Sequence, residues 1–304
     1  MGRLAVVALL VSALAGGPAA AQDATQLVQQ GRALINQGKH DEAERLLRQA
    51  YQINPRSLEA VLALGVVLDL KGQYAEAHTF LQQAVDVAPR GQQRNQALAN
   101  LALSYVFQGD IAQALRHLVS VREQQLADGD VTGAAASART IGRILLETGD
   151  AAGGRKWYEL GYEEWKPKPD APESELLLWE LRWRHMRARV SAREGRIDEA
   201  RQLLGEFEAL MAKRGRQDED NAIYRWVAGY VAFYAKDYAR AIAELAQGNL
   251  NDPFILHMMG MAYDAQGNTA NAREYYQRTI ESNVHTLNNA LVRPKARARL
   301  AELR

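Results

Sequence analysis

Apolar and small residues recur three and four positions apart along most of the chain. Leu27, Gly31 and Leu34 precede Gly38, and Val61, Leu64, Gly65 and Leu68 precede Gly72. That spacing places each set on one face of a helix. A second run follows each glycine: Ala43, Leu47 and Ala50 lead to Pro55, and Ala77 and Ala84 lead to Pro89. The stretches GKHDEAERLLRQAYQINP (38–55) and GQYAEAHTFLQQAVDVAP (72–89) are two copies of one sentence, 34 residues apart. The glycine accepts the left-handed conformation that ends a helix, and the proline stops the one after it. Each unit therefore predicts a helical hairpin with small residues where its two helices meet. One such hairpin cannot bury its apolar face alone, which is why it repeats. No stretch alternates β-branched and polar residues, so no strands are expected.

The pattern resembles the tetratricopeptide repeat. The family's small residue in the first helix falls at Gly31, Gly65, Ala102, Gly142, Ala188, Gly229 and Gly260. Its counterpart early in the second helix falls at Ala43, Ala77, Ala114, Ala200, Ala241 and Ala272. The fourth unit departs from the pattern, with Gly153 and Gly154 at that place. Turn glycines recur at 38, 72, 109, 149, 195 and 267, with Lys236 substituting in the sixth unit. The resemblance implies an all-α, right-handed superhelix of about seven hairpins over residues 22–304. A capping helix is expected over about 289–304, where Arg297, Arg299 and Arg304 would form a basic outer side. Lys166 to Pro172 carries three prolines and reads as a loop between long helices. It is either a hinge or an elongated turn.

Composition narrows the function classes. Lys and Arg total 37 against 36 Asp and Glu, so the chain lacks the basic excess of a general nucleic-acid binder. Residues 1–21 show Arg3, an apolar run from Leu4 to Leu14, and Ala19-Ala20-Ala21 before Gln22, the pattern of a signal peptide. The run is short for a membrane span, so an exported, periplasmic protein without stable membrane insertion is expected. There is no cysteine, which excludes disulfides, thiol chemistry and cysteine-held metals.

Candidate chemistry is sparse. The chain has no nucleophile elbow, P-loop or zincin motif, and its six histidines lie in separate units. No catalytic role, cofactor or metal is expected. His257, Met258, Met261 and Asp264 share a helix with donors suited to soft copper, but methionine also fills gaps between repeats.

In the family the first helices of successive units line a concave groove that binds partner segments. Carried onto this chain, the groove starts mixed with Arg32, Asn36, Leu62, Asp69 and Asn100. It turns basic with Arg139, Arg143, Arg182, His185, Arg189 and Arg193. It ends aromatic with Trp226, Tyr230, Phe233 and Tyr234, joined by Phe254 and His257. The family's lysine–asparagine carboxylate clamp is absent, since Val28, Arg32, Leu62 and Val66 stand at its positions. The implied function is a non-catalytic scaffold holding an extended or helical protein segment, acidic with apolar anchors, in envelope assembly or secretion. An aromatic groove also suits a glycan or peptidoglycan fragment, and the exposed ends of a repeat stack can self-associate.

Overall fold

The computed structural model describes residues 18–303, with side chains from residue 22 onward. The expected signal peptide lies largely outside the described residues. Helix α1 (Pro18–Asn36) runs through the expected cleavage point. There follow α2 (His40–Ile53), α3 (Leu58–Lys71), α4 (Tyr74–Val87), α5 (Gln92–Gln108), α6 (Ile111–Ala127), α7 (Val131–Thr148) and α8 (Ala151–Glu164). The second half holds α9 (Glu173–Arg193), α10 (Ile197–Lys213), α11 (Asp218–Tyr234), α12 (Tyr238–Leu245), α13 (Pro253–Ala265), α14 (Thr269–Ile280) and α15 (Leu287–Glu302). The described residues thus form seven antiparallel pairs and one terminal helix, the all-α solenoid expected from the repeat.

The small residues explain how each pair closes. A Cβ added to Gly31, Gly65, Gly229 or Gly260 would fall within 2.4–2.8 Å of Leu47, Leu81, Leu245 or Tyr276. The large partner comes sixteen residues after the glycine each time, so one hairpin geometry is reused. The fourth pair is tighter. Added Cβ atoms at Gly142 and Gly154 would meet backbone at 2.8–2.9 Å, so α7 and α8 touch main chain to main chain. That contact is why glycine replaces the usual alanine at position 154.

The turn glycines at 38, 72, 109, 149, 195 and 267 all have positive φ, and Lys236 adopts the same conformation at φ 62°. A continuous apolar core runs from Val28 through Leu64, Leu101, Ile141 and Val227 to Val292. Residues 165–172 form the irregular connection expected between α8 and α9. Trp179 bridges it by donating Nε1–H to the Tyr162 carbonyl at 3.0 Å.

Candidate functional site: a groove with an open front and a filled rear

The first helices, α1 to α13 by odd number, present the residues expected to line the groove. At the front, α1, α3 and α5 enclose a cavity of about 460 Å³. Ile35, Leu62, Ala63 and Val66 give it an apolar floor, and Arg32, Asn36 and Asn100 surround it with polar groups. Arg32 is exposed and enters no ion pair among the described residues. This is the part of the predicted groove that stands open.

At the rear the predicted residues pair with each other. Arg189 on α9 is 2 % exposed and bonds Glu147 on α7, which also takes the Tyr230 hydroxyl from α11 at 3.2 Å. Arg143 lies 3.6 Å from the same carboxylate and stacks over Trp226 and Phe254 at 5.1 and 4.7 Å. A buried and a half-buried guanidinium group thus share one carboxylate. Burial and the nearby Arg189 charge hold Arg143 below its ordinary pKa. His185 sits edge-on to Trp226 with neither ring nitrogen bonded. Its burial, with Arg189, Arg182 and Arg143 around it, drives its pKa well below the ordinary value, so it is a neutral ring.

The remaining residues are also engaged. Arg139 donates to the Gly161 carbonyl at 3.2 Å and stacks over Trp165. Arg182 pairs with Glu219 at 2.6 Å, and Arg193 donates to the Tyr234 hydroxyl at 2.6 Å. Phe233 packs edge-on to Tyr234. Of the residues expected along the groove, Arg189 and Tyr230 are buried. Their charge and hydroxyl are consumed inside the fold, because a buried guanidinium needs a buried carboxylate.

The terminal helix does more than cap. Leu300 and Leu303 do pack on Tyr276 of α14, as a cap should. Of its expected basic outer side, Arg297 is exposed, Arg299 is half-exposed and Arg304 lies outside the described residues, while the preceding stretch of the helix turns inward. Asn289, Ala290, Leu291, Val292 and Arg293 are buried. Arg293 donates to the Leu70 carbonyl on α3 at 2.9 Å, and Lys295 donates to the Glu147 carbonyl on α7 at 3.2 Å. Just before α15, His285 Nε2 bonds the fully buried Asp69 at 2.8 Å and its ring stacks on Phe107. The Asn283 amide, oriented as its neighbours require, reaches the Gly38 N–H and His40, both at 3.2 Å. The seventh repeat is thereby joined to the first four. Sequence reading missed this because the paired residues are 148 to 245 positions apart. The apolar Leu291 and Val292 beside Arg293 were the available signal.

Ser104, Asp69 and His285 hold the groups of a nucleophilic triad in the wrong order. Ser104 Oγ donates to Asp69 at 2.5 Å and His285 binds the other carboxylate oxygen, so no imidazole takes the serine proton. In the suggested copper group, Asp264 is taken by Arg299 at 2.6 and 3.0 Å, and His257 packs on Tyr276.

Seven stacked helical hairpins with a small-residue seam define an α-solenoid, an architecture with an extended concave surface. Tetratricopeptide-repeat family models match residues 34–101, 95–119, 182–206 and 255–283, and the chain is similar to the tetratricopeptide repeat over those stretches. Three solved structures share the fold. A tetratricopeptide repeat protein from Parabacteroides merdae is 14 % identical, with 93 % of this chain and 99 % of that one covered, at TM-score 0.54. Aspartyl phosphate phosphatase F from Bacillus subtilis is 11 % identical over 94 % and 71 %, at TM-score 0.61. A Rap protein complexed with Competence and Sporulation Factor is 15 % identical over 93 % and 76 %, at TM-score 0.55. No curated protein matches.

Proposed function

We propose that the chain is a non-catalytic scaffold that holds a segment of a partner protein in its groove. The open cavity between α1, α3 and α5 carries this reading, because it lies where the repeat places its binding surface. Its shape suits an extended segment whose apolar side chains enter between Leu62 and Val66 while an acidic residue meets Arg32. The complex of the similar Rap protein with Competence and Sporulation Factor supports use of this fold for binding another molecule. The signal-peptide-like pattern of residues 1–21 supports reading the chain as exported, with the partner in the cell envelope and a role in assembly or secretion there.

The test is crosslinked capture from the envelope fraction with the tagged protein. Leu62→Glu/Val66→Glu should abolish capture of a protein that wild type retains, while circular dichroism stays helical. Equal capture by both would remove the front cavity as the binding site.

A further inference from the structure

A second cavity, of about 530 Å³, lies between α5, α6 and α7 and shares no lining residue with the front cavity. Asn95 on α5 lines it and is only 8 % exposed, yet its buried Oδ1 accepts no hydrogen bond. Leaving such an acceptor unpaired is costly, and a donor entering the cavity removes that cost. Ser137 on α7, also 8 % exposed, donates its hydroxyl proton to Gln125 Oε1 at 2.7 Å. Its oxygen therefore has only acceptor capacity left.

Two carboxylates complete the lining. Asp128 and Asp130 flank Gly129 in the turn from α6 to α7. Each has one oxygen engaged: Asp128 Oδ1 takes a Gln124 Nε2–H at 2.9 Å, and Asp130 Oδ1 takes the Gly133 N–H at 2.8 Å as the cap of α7. Neither forms an ion pair among the described residues, and no Lys, Arg or His lines the cavity. The lining thus offers acceptors and negative charge with no cation of its own, and what fits it is a positively charged hydrogen-bond donor. A quaternary ammonium has no N–H to give Asn95, and no aromatic ring lines the cavity to cage it. The same lack of a ring disfavours a stacked sugar. A divalent ion such as calcium takes about six to eight oxygen ligands in one shell and would fill little of this volume. Ala99 and Val121 supply an apolar wall along which an alkyl chain can lie.

We propose that this cavity binds a primary alkylammonium group, carried by a free diamine or by a lysine side chain of a partner. The alkyl chain lies along Ala99 and Val121, the N–H groups meet Asn95, and Asp128 and Asp130 balance the charge. The site is separate from the front cavity and does not rest on the scaffold reading.

The test adds cadaverine and, separately, Nα-acetyl-lysine amide to the isotope-labelled full chain at low salt, where exposed carboxylates are least screened. At least one probe should move the side-chain amide resonances of Asn95 and Gln125 saturably. The tighter of the two identifies the source as free diamine or lysine side chain. Pentanediol, equally long and uncharged, should leave both resonances in place. Asp128→Asn/Asp130→Asn removes the charge but keeps an asparagine cap on α7, so it should fold and bind about tenfold or more weakly. Asn95→Ala should weaken binding about threefold or more, and Leu62→Glu/Val66→Glu should bind as wild type does. The proposal is overturned if neither amine binds, if pentanediol binds as tightly, or if calcium chloride moves the resonances and neither amine does. Full affinity in the aspartate variant or in a folded Asn95→Ala chain overturns it too. So does loss of binding in a folded Leu62→Glu/Val66→Glu chain, because the amine would then occupy the front cavity. Should Asn95→Ala lose helicity, the aspartate variant decides.

Discussion

The first three repeats and the last four use the same hairpin to opposite ends. In front, the groove floor of Leu62, Ala63 and Val66 is apolar and left open. Behind, the corresponding helices carry Arg143, Glu147, Arg189 and Tyr230 into one buried network. An apolar floor can stay uncovered at modest cost, whereas a buried charge must be paired wherever it lies. The rear of the solenoid is therefore filled by one buried ionic network, whereas the front keeps its floor open even though His285 and Arg293 reach Asp69 and Leu70 there. The difference predicts where substitutions do most damage.

The largest effect is expected at Glu147, the carboxylate that faces both the buried Arg189 and the half-buried Arg143. Glu147→Gln leaves Arg143 and Arg189 without a carboxylate and should cost about 3–5 kcal/mol, with a correspondingly lower denaturation midpoint. Combining Glu147→Leu with Arg189→Met should cost far less than that, since the charge and its partner leave together. A loss below about 1 kcal/mol for Glu147→Gln would mean the network is solvated.

Next comes the seam. Gly142→Ala drives a Cβ onto the Tyr158 N–H and the Gly154 carbonyl, neither of which can rotate away. The expected loss is about 2–3 kcal/mol. Gly65→Ala in front meets only the Leu81 side chain, which can shift, and should cost about 1–2 kcal/mol. Equal losses by chemical denaturation would contradict the closer backbone approach in the fourth pair.

These two cases show what the sequence made legible. The small-residue positions and the turn residues are local features, so their recurrence located the hairpins, and Gly153-Gly154 marked the fourth as irregular. The groove was legible only as a set of helix faces. Periodicity assigned Arg189 and Tyr230 to the right face, but could not reveal that Glu147, one repeat before Arg189 and two before Tyr230, bonds both. Burial depends on what arrives from elsewhere in the chain, and α15 arrives from its far end. Its residues read as an amphipathic cap because half of them are one. The half that matters to the groove, Leu291 to Arg293, is recognisable only once the superhelix brings α3 within reach.

Histidine burial gives a third, pH-dependent effect. Burial holds His257 down to a pKa of about 3, against its ordinary value of 6.5. The unfolded chain takes up a proton near 6.5 while the folded chain does not. Stability is therefore complete above that pH and falls as pH drops toward 3, with a limiting slope of about 1.4 kcal/mol per pH unit for one such group. His257→Leu should flatten the acid limb of a thermal-melting profile. His78 and His117 in front are also lowered by burial and titrate in the same direction. Replacing His257 alone should thus leave a residual acid limb, and a profile unchanged by His257→Leu would place the proton uptake elsewhere.

The smallest effect isolates the backbone from everything around it. In the front repeats the first helix ends on glycine at positive φ, as at Gly109, where an added Cβ would meet nothing within 4 Å. In the sixth repeat Lys236 takes that role at φ 62°, exposed to solvent. Its N–H still donates to the Phe233 carbonyl at 2.9 Å, and Asp237 N–H to Ala232 at 2.9 Å, so the cap is intact and only the side chain is strained. Lys236→Gly should stabilise the protein by about 1 kcal/mol, and Gly109→Lys should destabilise it by a similar amount. Because neither change touches the core, the two should cancel when combined, to within about 0.5 kcal/mol. A double variant well below wild type would show that the front turn carries more than a backbone preference, and that the repeats are not interchangeable even at their ends.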